Sequence, residues 1–419
     1  MYLLFAIFTR CIRSLVSVFQ SLLRKPSVVS GCVDRFAIVS HVVPPMWSGQ
    51  AMVLDRLLSE LPGTRCVVIS SSPAPSIQHD GGTFVGLPRE AFHASSFKRG
   101  WLATGVTLIR CCLRGFRIAA ILSRERCAGA VACTGDLIDL PATAFACRVL
   151  GIRFIPYYFD DYVAQWSWAP AAMIRAKELE PFVFGVSTCV IVPNERLGDA
   201  VQLRSKKPVE IVRNPAWLKQ IPRMPHNTRS ERKACKIVYT GAVYHVNYDA
   251  FRCLIASMGE LVDLQPELDI YSAQDQEQIQ KEGIAGFNVK TFAHVAPEQV
   301  CEIHRQASVL FMGFTFGKSF GEIVCSSAPG KLGDYLASGV PVVALTPRDS
   351  FLADFLIGHD CGFVVDRPDP SVLADAIRIA VTNLGRREEV VKNALSCARQ
   401  EFSAVTAVKA ITQSLGLVH

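Results

Sequence analysis

The stretch Ser326–Ala344 reads SSAPGKLGDYLASGVPVVA, and its parsing decides the fold. A polar loop leads into a helix, a glycine stops it, and a buried strand follows. Pro329 suits a first helical turn, where its missing N–H would have no partner. Ser326 and Ser327 are placed where hydroxyls cap free N–H groups. Gly339 ends the helix and Pro341 opens an apolar strand. Free N–H groups at a helix start attract anions. Lys331 adds a full positive charge, and Asp334 and Tyr335 follow at i+3 and i+4 on roughly the same face. A cation for phosphate beside a carboxylate for sugar hydroxyls is what a nucleotide-sugar site requires, although an ordinary α/β crossover helix reads similarly.

Outward from this stretch, apolar runs of strand length alternate with longer helical patterns. In the first half the runs are 36–43, 66–72, 130–136, 154–160, 189–194 and 209–215. In the second they are 236–242, 268–273, 289–295, 308–314, 341–346 and 361–366. Helical patterns cover Gln50–Leu61, Trp101–Arg126 and Leu140–Leu150. Residues 214–235 are rich in Pro, Lys and Arg and lack periodicity, so they read as a linker. The expected organisation is a basic N-terminal segment (1–33), an α/β domain (34–213), the linker, a second α/β domain (236–385) and a helical tail (386–419). Two doubly wound domains imply a ligand cleft outside the carboxyl ends of their strands. No strand is followed by G-x-G-x-x-G, which argues against a dinucleotide-dependent dehydrogenase.

The chain has 419 residues, half of them hydrophobic, which suits two cores and excludes extended disorder. The 15 cysteines are scattered, with no C-x-x-C pair and no zinc spacing, and read as core residues in a reducing compartment. Net charge is +7, and Arg10, Arg13, Arg24 and Lys25 all precede the first acidic residue, Asp34. From Thr9 to Lys25 basic and apolar residues segregate onto opposite helical faces. That pattern suits an anionic membrane surface, a docked helix or an organelle presequence. A second basic stretch, 98–126, puts Arg110, Arg114 and Arg117 on one expected face and Leu108, Cys112 and Leu113 on the apolar one. Aromatics do not interleave with these basic residues, so nucleic acid is not an expected partner.

PGKLGDYLASGVPVVA resembles the donor-binding helix of glycosyltransferase family 4 and related group 1 glycosyltransferases. Other segments follow in the order of that family. HVVPPMWSGQAMVLDRLLSEL resembles its first strand, glycine loop and helix, with Ser48 and Gly49 at the loop. IPYYFDDY resembles a strand ending in His-Asp, with Phe159 at the histidine position and Asp160 at the aspartate. IVYTGAVYHVNYDAF resembles the glycine turn that opens the donor domain. The resemblance implies the GT-B fold, two Rossmann-like α/β domains facing an interdomain cleft. It also implies transfer of a sugar from a UDP- or GDP-sugar to a glycan or lipid-linked glycan, in polysaccharide or surface-glycan synthesis. Asp334 matches the carboxylate that holds the nucleotide ribose. Many members carry a second glutamate eight positions earlier, where this chain has Ser326.

The expected donor contacts are therefore Ser48, Gly49, Gly241, His245, Ser326, Ser327, Lys331, Asp334 and Tyr335. Asp160 and Asp161 end a strand that should face the cleft and are the candidate catalytic carboxylates; N-capping of the next helix is their alternative role. Glu322, in the loop before Pro329, is a candidate replacement for the missing glutamate. No metal and no cofactor besides the donor is expected. The expected location is cytoplasmic, at the inner face of a membrane. A nucleotide-sugar epimerase of the same fold and a catalytically degenerate nucleotide-sugar-binding protein are the alternative readings.

Overall fold

The computed structural model describes residues 35–46, 48–63, 65–72, 82–88, 101–218, 234–317 and 320–417. The basic segment 1–33, residues 98–100 of the second basic stretch and most of the expected linker lie outside the described residues. The described chain divides into two compact units. One runs to Val212 and also takes in the residues from Val408 onward; the other is Arg213–Ala407.

The first unit holds a seven-stranded sheet. Its strands are β1 (Phe36–Val39), β2 (Cys66–Ser70), β3 (Thr83–Gly86), β4 (Gly129–Cys133), β5 (Arg153–Tyr157), β6 (Val190–Val192) and β7 (Val209–Ile211). Their order is β3-β2-β1-β4-β5-β6-β7 with parallel pairing throughout. The central strands are apolar on both faces because helices cover both; every residue of β1 and β4 is buried. The sequence reading lacks β3. This four-residue edge strand is half exposed, so it carries no buried apolar run. The last residues return to this unit, where Arg153 donates to the Leu415 carbonyl.

The second unit holds a six-stranded parallel sheet of β8 (Lys236–Thr240), β9 (Glu267–Tyr271), β10 (Val289–Phe292), β11 (Val309–Gly313), β12 (Val342–Leu345) and β13 (Phe363–Val365). Its order is β10-β9-β8-β11-β12-β13. Both sheets reverse their winding once, at β1/β4 in the first unit and at β8/β11 in the second. Such a switch point leaves a crevice at the carboxyl ends of two neighbouring strands, because the connecting helices depart to opposite faces.

The helix Trp101–Arg124 corrects one expectation. Arg114 is not on a solvated basic face: it is 1% exposed and its Nε donates to Asp139 Oδ1 at 2.8 Å. Leu113, assigned to the apolar inner face, is 57% exposed, and Val106 and Ile109 lie outward with it. The buried guanidinium is tolerated because Asp139 and the Pro88 carbonyl satisfy it.

Candidate functional site

The switch point of the second unit is built from three segments. The first is the turn after β8. Gly241 has φ +125°, a conformation that L side chains avoid, and a Cβ there would lie 2.8 Å from Lys331 Nζ. Glycine is thus favoured by the turn, and its missing side chain leaves the lysine room to approach. The second segment follows β11: Thr315 N donates to the Val246 carbonyl and Thr315 Oγ1 donates to Asp249, while Asn247 Nδ2 donates to the Gly313 carbonyl. These bonds knit the two loops together. Asn247 Oδ1 is buried without a partner among the described residues.

The third segment is Ser326–Ala344. Its helix is shorter than expected, Leu332–Ala337, and it starts three residues past Pro329. Ser326 and Ser327 do not cap it. Ser326 closes a separate helix, Gly321–Ser326, with its hydroxyl donating to the Glu322 carbonyl, and Ser327 is the C-cap of that helix. The reason is local: after Ser327 the chain leaves helical bonding, and a turn at Gly330–Lys331, closed by Leu332 N donating to the Pro329 carbonyl, sets the helix start past the serines. A six-residue helix brings little dipole, so the positive charge at this point is that of Lys331. Gly339, at φ +80°, ends the segment before β12 as expected.

Lys331 Nζ lies 3.6 Å from the centroid of the Tyr239 ring. Among the described residues it makes no ion pair and no hydrogen bond. Burial alone pulls its pKa down to about 7. A cation supported only by an aromatic face, beside an open glycine turn, is poised to gain an anion.

Tyr335 is placed differently from its expected contact role. It is fully buried, and its phenol oxygen accepts from Thr240 N at 2.9 Å; burial pushes its pKa up to about 12. It fixes the end of β8 and hence Gly241, so it positions the site from beneath. Asp334 Oδ1 accepts from Trp217 N at 3.0 Å, which ties the motif to the start of the unit. His245 is exposed on the turn after β8, its ring 4.7 Å from that of Phe320. Glu322 is exposed in the first turn of its helix.

In the first unit the switch point lies at the ends of β1 and β4. Ser48 is the N-cap of the helix Gly49–Ser59, its Oγ accepting from Ala51 N at 3.1 Å, and Gly49 is the first helical residue. Gln50 Nε2 donates to Ser40 Oγ and to the Thr134 carbonyl, both at 3.0 Å, and so joins the two strand ends. His41, absent from the sequence reading, packs against Gly135, which has φ +120°; a Cβ there would sit 2.1 Å from the imidazole. Its Nδ1 is buried without a partner among the described residues, and desolvation lowers its pKa, opposed in part by Asp139. The ring is therefore neutral near pH 7. Only an isolated histidine after an apolar strand marks it in the sequence.

The two candidate carboxylates separate here. Asp161 is buried; its Oδ1 accepts from Val163 N and Ala164 N, and its Oδ2 pairs with Arg204 at 2.7 Å. Its oxygens are spent on capping and pairing, which corrects its placement among the catalytic residues. Asp160 is solvent-accessible at the end of β5, and its carboxylate has no partner among the described residues. Thr134 Oγ1 accepts from the N–H groups of Phe159 and Asp160 and so orients this strand end. Although Asp160 is exposed, surrounding protein atoms crowd its carboxyl, and this desolvation, followed by the charge of Asp161, raises its pKa. An accessible carboxylate of raised basicity can accept a proton from a hydroxyl.

Residues 234–383 match the protein family described as Glycosyl transferases group 1. No curated protein matches the chain. Among solved structures, a glycosyltransferase from Rickettsia africae ESF-5 is similar at 10% identity with a TM-score of 0.64, over 91% of this chain and 98% of that one. Anabaena Alr3699/HepE in complex with UDP and glucose is similar at 14% identity and a TM-score of 0.64, over 92% and 100%. The lipopolysaccharide outer core galactosyltransferase WaaB in its apo form is similar at 12% identity and 0.57, over 91% and 99%. At such identities the likeness establishes the GT-B fold.

Proposed function

With residues 234–383 matched to the group 1 glycosyltransferases and the whole chain sharing the GT-B fold, we propose that this protein transfers a sugar from a nucleoside diphosphate donor to a hydroxyl of a glycan or lipid-linked glycan. The observation that carries the reading is Lys331: an ammonium with no counter-charge among the described residues, set against Gly241 at the β8/β11 switch point. In this reading it stabilises the diphosphate as it departs. Asp334, one helical turn along, faces the ribose, and His245, on the adjoining exposed turn, supplements the phosphate contacts. UDP is the first nucleotide to test, since HepE binds UDP and glucose; GDP is the comparison. In this reading Ser48 and Gly49 also contact the donor, and Asp160 accepts the acceptor's proton.

Calorimetry on the purified chain tests the core of this. Lys331→Ala should weaken nucleotide diphosphate binding by about 1–3 kcal/mol, the range of a charge-assisted phosphate contact. Unchanged affinity removes the site. The reading places the leaving-group charge on Lys331 rather than on a metal ion, so added Mg2+ or Mn2+ should not raise turnover.

We also propose that the protein works at a membrane surface. The outward apolar residues Val106, Ile109 and Leu113 lie on the same helix as Arg117, and residues 1–33 carry a basic amphipathic pattern. No described helix is long and apolar enough to cross a membrane. Deleting residues 1–25 should release the protein from anionic vesicles in a flotation assay; full retention refutes the role of that segment.

A further inference from the structure

The second unit contains a cluster that the donor site does not use. His359 Nε2, Cys397 Sγ and a Glu401 carboxylate oxygen all lie within 4.8 Å of one another. We propose that these residues form a binding site for a divalent metal ion of the zinc class.

The cluster is held in place by its surroundings. Cys397 and Glu401 are i and i+4 on the helix Leu384–Glu401, so their side chains project from one face. The turn carrying His359 is anchored along the same face at two further points. Asp360, at φ +49°, is paired with Arg386, and its carbonyl accepts from Asn393 Nδ2 at 3.1 Å. Arg386, Asn393, Cys397 and Glu401 follow one another at steps of seven, four and four, which trace one stripe of the helix.

Each donor is also oriented. Glu401 Oε2 accepts from Arg213 Nε at 3.0 Å, which leaves Oε1 facing His359 Nε2 at 3.3 Å. Arg213 is itself stacked over the Phe351 and Phe355 rings, 5.2 Å from each centroid. The imidazole of His359 rests 4.4 Å from the Phe355 ring. Cys361, fully buried, shares a hydrogen bond with Cys397 and can donate it to a thiolate sulfur. Partners that fix ligands in this way are typical of metal sites.

The donor set selects the ion. One thiolate, one imidazole and one carboxylate suit a tetrahedral zinc-class ion and are poor for Mg2+ or Ca2+, which prefer oxygen ligands. The edges of a tetrahedral zinc site with such ligands are about 3.3–3.8 Å, so side-chain rotation brings these atoms into place. A thiolate and a carboxylate neutralise a divalent ion. Binding replaces the His359–Glu401 contact, and the Cys397 proton leaves to solvent. His359 is partly exposed, which gives the ion a route in and leaves a fourth position for water. The ion would pin the turn before β13 to the helix end. Phe402, the next residue, lies against Gly333 behind Lys331.

The experiment uses the full-length protein, stripped with a chelator and then titrated with Zn2+ against a chromophoric competitor, and separately with Co2+. One high-affinity equivalent is expected, with visible Co2+ bands and a thiolate charge-transfer band in the near ultraviolet. Cys397→Ser should abolish that charge-transfer band. His359→Ala, at a partly exposed position where folding is secure, and Glu401→Gln should each weaken Zn2+ about 10–100-fold. Cys361→Ser should keep the band. Zn2+ affinity unchanged in His359→Ala, a Co2+ spectrum unchanged in Cys397→Ser, or a Cys361–Cys397 disulfide in protein purified without oxidant would each overturn the site.

Discussion

Beneath the end of β4 the buried guanidinium of Arg114 is matched by Asp139 at 2.8 Å, while at the end of β8 the ammonium of Lys331 has, among the described residues, only the ring of Tyr239. The two units share a topology, and each places a cation near its switch point. The difference lies in what satisfies the charge. A buried charge that is paired within the chain contributes to the fold, and its partner depends on it. A charge left without a carboxylate is held at a cost that a bound anion removes. Under the proposed function, the unit with the lysine unpaired among the described residues is the donor side. The other, with a neutral imidazole at His41 and an accessible carboxylate at Asp160, is read as the side that handles an uncharged hydroxyl.

The largest effect that separates the two cations is on stability. Arg114→Met leaves Asp139 buried and uncompensated, and should cost about 3–5 kcal/mol in denaturant unfolding of the first unit. Replacing Asp139 by Leu in the same chain should recover much of that loss. Lys331→Ala should cost nothing comparable, since burial already disfavours its charged form. A Lys331→Ala protein destabilised as much as Arg114→Met would erase the distinction.

How far the sequence reveals this contrast depends on the distance over which each feature is specified. Runs such as Phe36–Val39 and Val342–Leu345 are legible because a strand buried on both faces must be apolar throughout. Gly339 is legible because a helix end before a strand requires its backbone. The inward turn of Arg114 is not, because a helical wheel counts arginine as polar and cannot see Asp139, 25 residues later. Nor is the division of labour between Asp160 and Asp161, since only the packing of Arg204 against that loop shows which carboxylate is committed. The contact of Lys331 with Gly241 spans 90 positions, and the approach of Cys397 to His359 exists only once the helix Leu384–Glu401 is docked. Spacing rules search short intervals and miss both.

The committed and uncommitted aspartates give the next test. Asp160→Asn should lower turnover about a hundredfold, the lower end for loss of a general base because the site is open to water, while nucleotide affinity stays unchanged. Donor hydrolysis serves as the assay where an acceptor is not in hand. Asp161→Asn should instead lower stability, since the buried end of the Arg204–Asp161 ion pair is lost and Arg204 keeps only Glu180 among the described residues. Equal turnover in wild type and Asp160→Asn would exclude Asp160 as the base.

The smallest effect is the most direct reading of Lys331 itself. In the free protein burial lowers its pKa to about 7, and a diphosphate beside it must raise that value. Below about pH 7 the lysine is charged before and after binding, so affinity is flat. Above it, binding must take up a proton, and affinity falls by up to about tenfold per pH unit until the pKa of the complex is reached. A UDP-sugar is the right probe, because its diphosphate diester does not titrate in this range, whereas UDP does. Calorimetry in buffers of different ionisation enthalpy should register the proton taken up at about pH 8, and Lys331→Ala should abolish both the uptake and the slope. A flat affinity from about pH 6 to 9 in the unaltered protein would mean that the lysine is already paired in solution, and the contrast with Arg114 would then disappear.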